Sequence, residues 1–130
     1  MATVMVVEDD FTTRVLLVSI ISKMGHAVVP CTNGRMAYEI LKAHEDVNLI
    51  VSDVVMPEMT GIELLEAIRK ESKFASIPIL LISAYLGVND GSALVAKGAY
   101  ALMIKPISPA ALQEYMTSAL RAASGADSQE

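Results

Sequence analysis

The chain has 130 residues, the size of one ordinary domain and too short for two. Hydrophobic residues make up 53%, enough to build a core, which excludes wholesale disorder. The net charge of −5 lacks the basic surplus that binds nucleic acid or an anionic membrane surface, and the single cysteine, Cys31, excludes an intrachain disulfide or a cysteine zinc site.

The first ten residues, "MATVMVVEDD", reach acids within one strand length. They carry no basic n-region and no apolar stretch before a cleavage site, and no later run nears the ~18 apolar residues of a membrane span. The compartment this implies is the reducing cytoplasm. Val4–Val7 reads as a first strand. Thr12–Met24 follows as a helix whose Leu17, Ile20, Ile21 and Met24 recur at i, i+3, i+4 and i+7, and Gly25 ends it. Ala27–Pro30 is the second strand. Arg35–Ala43 is the second helix, with Met36, Ile40 and Leu41 on its inner side. Leu49–Ser52 is the third strand. Thr60–Glu71 is a helix with Thr60 as N-cap and Glu63 completing a capping box; Ile62, Leu64, Leu65 and Ile68 face inward. Ile77–Ser83 is the fourth strand. Tyr85–Lys97 is a weak helix, because Gly87 and Gly91 each cost ~1 kcal/mol against alanine in a helix interior. Tyr100–Ile104 is the fifth strand. Ser108–Ala122 is the last helix, capped by Ser108, opened by Pro109 and striped by Leu112, Tyr115, Met116 and Ala119. The tail from Ser124 to Glu130, "SGADSQE", has no apolar anchor and is expected to be disordered, so residues 1–123 form the domain.

Short, nearly continuous apolar strands alternating with helices predict an α/β fold with a parallel sheet covered on both faces. Ligands in such folds sit at the carboxyl ends of the strands. The residues expected there are Glu8, Asp9 and Asp10 after the first strand, Asp53 after the third, Ser83 after the fourth and Lys105 after the fifth. Taken singly, each has an ordinary explanation as a cap, a loop hydroxyl or a solvated lysine. Together they make a pocket of carboxylates, one hydroxyl and one ammonium. Packed carboxylates repel unless protonated or joined by a cation, and an all-oxygen set favours Mg²⁺. Metal and ammonium would neutralise a phosphoryl group, and a carboxylate could itself be the nucleophile that takes it. Because side chains alternate along a strand, three consecutive acids cannot all face one point, and Glu8 is the one expected to point away.

The stretches "VVEDD", "SDVVMPEMTGIELL", "ILLISA" and "MIKPI", in this order, make the chain resemble the receiver domain of two-component response regulators from about Thr3 to Ala122. The resemblance implies a doubly wound, flavodoxin-like (βα)5 fold with five parallel strands in the order 2-1-3-4-5. It implies that Asp53 is the phosphoacceptor and that Mg²⁺ is held by Asp10, by Asp9 largely through water, by Asp53 and by the backbone carbonyl of Val55. Ser83 would bond a phosphoryl oxygen on activation, Lys105 would pair with the phosphoryl group, and the Lys105–Pro106 bond would be cis. The donor would be a phosphohistidine on a sensor histidine kinase or a histidine phosphotransfer domain. The fourth helix, fifth strand and fifth helix would form the output surface. No direct nucleic-acid or membrane contact is implied, and the protein would be a signalling phosphoacceptor rather than an enzyme.

Some positions depart from the family pattern. Leu102 stands where an aromatic switch residue is common, with Tyr100 two residues earlier on the same side by strand period. Val55 and Tyr85 would flank the phosphoryl group and slow its hydrolysis. Val15 and Val18 lie off the inner stripe of the first helix, where they either widen that apolar stripe or would meet a partner helix. A haloacid-dehalogenase-type phosphatase would need an acid at Val55, and a flavodoxin-like cofactor binder would not place acids after its first strand. The alternative function is a receiver-fold interaction module that works without phosphorylation; such domains commonly lose an acid or the lysine, which this chain retains. His26 and His44 read as surface residues, and the eight methionines as core filler.

Overall fold

A computed structural model describes residues 1–44, 46–56, 58–84 and 90–124. Its elements in chain order are β1 (Thr3–Val7), α1 (Phe11–Lys23), β2 (Ala27–Cys31), α2 (Gly34–Ala43), β3 (Leu49–Asp53), α3 (Gly61–Arg69), β4 (Ile79–Ser83), α4 (Asp90–Ala96), β5 (Ala101–Ile104) and α5 (Pro109–Ala123), with a 3-10 turn at Ser72–Phe74. The five strands form one parallel sheet in the order β2-β1-β3-β4-β5, as the sequence implied. Pro57, Tyr85, Gly87 and the tail beyond Ser124 lie outside the described residues, as does the first part of the weak helix expected from Tyr85.

Strand alternation divides the core into two layers. Met5, Val7, Ile50, Ile79 and Leu81 point toward α2, α3 and α4, where Leu41, Leu64, Leu65, Ile68 and Leu94 meet them. Val4, Val6, Val51, Leu80 and Ile82 point the other way, onto Leu17 and Ile21 of α1 and Leu112 and Met116 of α5. Most of these side chains are fully buried, each worth about 1.5–3 kcal/mol in transfer free energy. Being covered on both faces is what makes the central strands read as unbroken apolar runs. Pro30 is tolerated because β2 is an edge strand, where a missing N–H leaves no ladder bond unmade.

Local signals at the helix ends hold. Thr60 and Glu63 exchange the reciprocal bonds of a capping box, Ser108 accepts from Ala111 N–H, and Gly25 follows α1 with φ of 95°. Two stripes are narrower than expected. On α2 the inner face is Ala37 and Leu41, with Ile40 half-buried, while Met36 is 40% exposed. On α5 it is Leu112, Met116 and Ala119, with Tyr115 at 38% exposure. Each outlier sits one residue, about 100° of helix rotation, from the buried line. His26 is half-buried, its Nδ1 accepting the Ala2 N–H at 3.0 Å, and burial lowers its pKa; His44 is exposed.

The edge of the sheet opposite the acidic residues is tied by Arg69, the last residue of α3. Its guanidinium donates to the carbonyls of Gly98 (2.9 and 3.1 Å), Phe74 (3.1 Å) and Ile77 (2.7 Å). Beside it, Lys97 and Glu66 form an exposed ion pair at 3.0 Å. Among the described residues no helix is long and apolar enough to cross a membrane.

Candidate functional site

The carboxyl ends of β1, β3, β4 and β5 converge because the strands are parallel and in register. Asp53 pairs with Ile82, and Ser83 pairs with Ile104. Asp53 closes β3 and is 7% exposed. Its backbone is fixed on both sides: the Ser52 hydroxyl donates to the Asp53 carbonyl at 2.9 Å, and Val54 N–H donates to Ile82 O at 2.9 Å. The start of α3 presses on it from below. Gly61 N–H donates to Val54 O at 2.8 Å, and a Cβ on Gly61 would overlap the Asp53 carbonyl oxygen.

Lys105 follows β5, joined to Pro106 by the expected cis bond. Its N–H donates to Ser83 O at 2.8 Å, which ties the ends of β4 and β5 together. Its ammonium lies 3.2 Å from Asp53 Oδ2 and 3.2 Å from Glu8 Oε1, so one cation bridges two buried carboxylates. Burial works against that ammonium, but Asp53 and Glu8 outweigh it and hold its pKa above the ordinary lysine range. Ser83 is 4% exposed at the end of β4, one residue past the partner of Asp53.

The acidic run after β1 is arranged differently from the sequence expectation. Glu8, not Asp10, faces the site. Glu8 N–H still donates to Cys31 O at 3.0 Å, continuing the β1–β2 ladder, and its side chain is fully buried beside Asp53 and Lys105. Burial raises its pKa, Asp53 adds to the rise, and the Asp10 N–H and Lys105 offset part of it. Asp10 turns outward to cap α1. Its Oδ2 accepts from Thr13 N–H at 2.9 Å and Thr13 Oγ1 at 2.7 Å, which lowers its pKa. Alternation does leave one of the three acids out, but β1 ends at Val7 and the helix cap claims Asp10. The sequence held that signal: Asp10 and Thr13 stand at N-cap and N3 spacing, which starts α1 at Phe11 rather than Thr12.

Carboxylate oxygens of Glu8, Asp9 and Asp53 lie within 4.8 Å of one another. Glu8 Oε2 accepts the Asp10 N–H at 3.1 Å, whereas Oε1 accepts no hydrogen bond among the described residues and has only the ion-pair contact with Lys105. Three clustered carboxylates, two of them on one ammonium, with a buried oxygen short of a donor, fit a divalent cation bound through oxygen. Val55 stands at the mouth, 71% exposed.

Leu102 is half-buried against the α2–α4 layer. Tyr100 precedes β5 rather than lying within it, so strand period does not place it beside Leu102. It packs against the α1–α5 layer, its hydroxyl hydrogen-bonded to Ser118 of α5. On α1, Phe11, Val15 and Leu16 are 70%, 50% and 43% exposed, and Val18 is half-buried.

The chain belongs to the response regulator receiver domain family, which it matches over residues 4–117. It is a chemotaxis-regulator-like receiver, of the two-component signalling class. Among its relatives, a chemotaxis protein CheY homolog of Campylobacter jejuni is 30% identical over 122 residues, covering 93% of this chain and 94% of that protein. Chemotaxis protein CheY1 of Helicobacter pylori is 32% identical over 111 residues, covering 85% and 90%. The structure of Vibrio cholerae chemotaxis protein CheY4 superimposes with a TM-score of 0.84 at 28% identity, covering 92% of this chain and 98% of that one.

Proposed function

We propose that the protein accepts a phosphoryl group on Asp53 from a phosphohistidine of a sensor histidine kinase or histidine phosphotransfer domain, with Mg²⁺, and that the α4–β5–α5 surface responds. The observation that carries this is the Lys105 ammonium, 3.2 Å from both Asp53 and Glu8 at the open edge of the sheet. An Asp53 carboxylate oxygen attacks phosphorus, an O–P bond forms, and the P–N bond to the donor imidazole breaks, its electron pair returning to the ring. Lys105 would pair with a phosphoryl oxygen once Asp53 is esterified, and the Ser83 hydroxyl would donate to another. Mg²⁺ at Glu8, Asp9, Asp53 and the Val55 carbonyl would neutralise the transferring oxygens. Contacts made only to the phosphorylated form shift a two-state equilibrium toward that form.

Incubation with acetyl phosphate, followed by intact mass, should give one phosphoryl gain that needs Mg²⁺ and vanishes in Asp53→Asn. The species should persist after donor removal, since the Val55 side chain crowds an attacking water. No gain under any condition would favour an interaction module that works without phosphorylation.

The exposed apolar residues of α1 would receive the donor's helix, as a small apolar face rimmed by polar residues commonly does. Val15→Glu should then slow transfer from a phosphohistidine domain and leave acetyl phosphate labelling unchanged. Equal slowing of both reactions would defeat the docking idea.

A further inference from the structure

The loop bearing Glu8 and Asp9 is gripped from behind by one side chain. Arg14, in the first turns of α1, reaches back toward β1. Its Nη1 donates to the Glu8 carbonyl at 2.8 Å and lies 3.4 Å from the Asp9 carbonyl. The Phe11 ring props the guanidinium, whose central carbon sits 5.6 Å from the ring centroid. We propose that Arg14 is a positioning residue for the divalent-cation site, fixing the peptide from which the Glu8 and Asp9 carboxylates project. This rests on the reading of Glu8, Asp9 and Asp53 as Mg²⁺ ligands.

In the middle of the loop the Asp10 N–H donates to Glu8 Oε2, and the Glu8 and Asp9 carbonyls are held by Arg14. Glu8 N–H is held by Cys31 O at one end, and the Asp10 carboxylate is held by Thr13 at the other. Asp9 lies between, with an exposed side chain, so its aim depends on its backbone. A guanidinium has several donors in a rigid plane and can address two successive carbonyls; a lysine ammonium is a point charge on a flexible stem.

Arg14 also carries a positive charge near a cation site, and that charge acts in the opposite direction. Charge alone repels Mg²⁺, so its removal would tighten binding. Positioning strengthens binding, so its removal would loosen it. The sign of the change therefore separates the two. Outer partners of metal ligands typically govern affinity by 10–100-fold, about, whereas an exposed charge is screened over roughly 8–10 Å.

The test is a calorimetric titration of Mg²⁺ into metal-free wild type, Arg14→Ala and Arg14→Lys, with a thermal melt of each in chelator and in Mg²⁺. The dissociation constant should rise about tenfold in both variants. The Mg²⁺-induced rise in Tm should shrink accordingly. Arg14→Ala binding Mg²⁺ as tightly as wild type, or tighter, overturns the proposal, and does so even if its chelator melt falls, since that is the mark of a merely structural residue. If Arg14→Ala does not fold, Arg14→Lys decides, because it keeps the charge and most of the stem. A wild type that takes up no Mg²⁺ refutes the ligand reading itself, and this inference with it.

Discussion

Lys105→Met should destabilise the metal-free protein at neutral pH by about 2–3 kcal/mol, read as a lower urea midpoint in chelator. The ammonium is the cation that bridges Asp53 and Glu8, whose side chains are 8% and 1% exposed. Removing it leaves two ionised carboxylates facing each other away from water. Breaking a fully buried pair costs about 3–5 kcal/mol, and the 21% exposure of the Lys105 side chain moves the expectation below that range. The difference between wild type and variant should depend on pH in a set direction. The folded pKa of Lys105 is raised, so its contribution is present below the ordinary lysine range and is lost as pH rises through the folded value. On the acid side, Glu8 also has a raised folded pKa, so it protonates earlier than an ordinary glutamate and relieves the repulsion. The two stability curves should therefore separate most at neutral pH and converge toward both extremes. Mg²⁺ should raise the Tm of the variant more than that of wild type. An unchanged urea midpoint at pH 7 would show that the bridge contributes nothing.

Gly61→Ala should cost about 3 kcal/mol and also impair Asp53 as a phosphoacceptor. In an exposed helix interior the same change would favour folding by about 0.5–1 kcal/mol, because alanine loses less backbone freedom. Here the added carbon meets the Asp53 carbonyl oxygen and comes within 2.9 Å of Val54 Cα, both of them backbone atoms that no rotamer change can move aside. Either α3 backs away or β3 shifts, and the bond from Gly61 N–H to the Val54 carbonyl resists the first. Gly91→Ala is the control, since an added Cβ there meets nothing within 4 Å among the described residues. It should be neutral or slightly stabilising in urea melts. Equal effects at the two glycines would mean that backbone freedom, not close approach, is what matters at Gly61.

The sheet was legible because its strands are covered on both faces, which leaves runs such as Leu49–Val51 and Ile79–Ile82 without polar interruption. The caps of α3 and α5 were legible because they depend on contacts within four residues. The site was legible in composition but not in its full residue set. Asp53 and Lys105 meet as expected, yet the assignment of the acids turned on where β1 stops. Alternation alone does not say which acid is left out; the cap at Asp10, completed by Thr13, does. Tyr100 shows the same sensitivity, since counting strand period into a residue that precedes the strand misplaced its side chain. Met36 and Tyr115 were misplaced for another reason: how wide a stripe a helix buries depends on how squarely it sits on the sheet, which no local pattern records.

Arg69 has a mechanical consequence. One guanidinium holds three carbonyls from two segments, and the neighbouring Lys97–Glu66 pair adds a weaker tether. The end of α4 nearest β5 is thereby pinned to α3 at Gly98, where φ of 114° makes the turn. A lever needs a fulcrum, and Gly98, held by Arg69 just past the end of α4, is where the fold offers one. On the proposed function, a displacement of α4 above Asp53 would then be a rotation, largest at the end of the helix farthest from the pin.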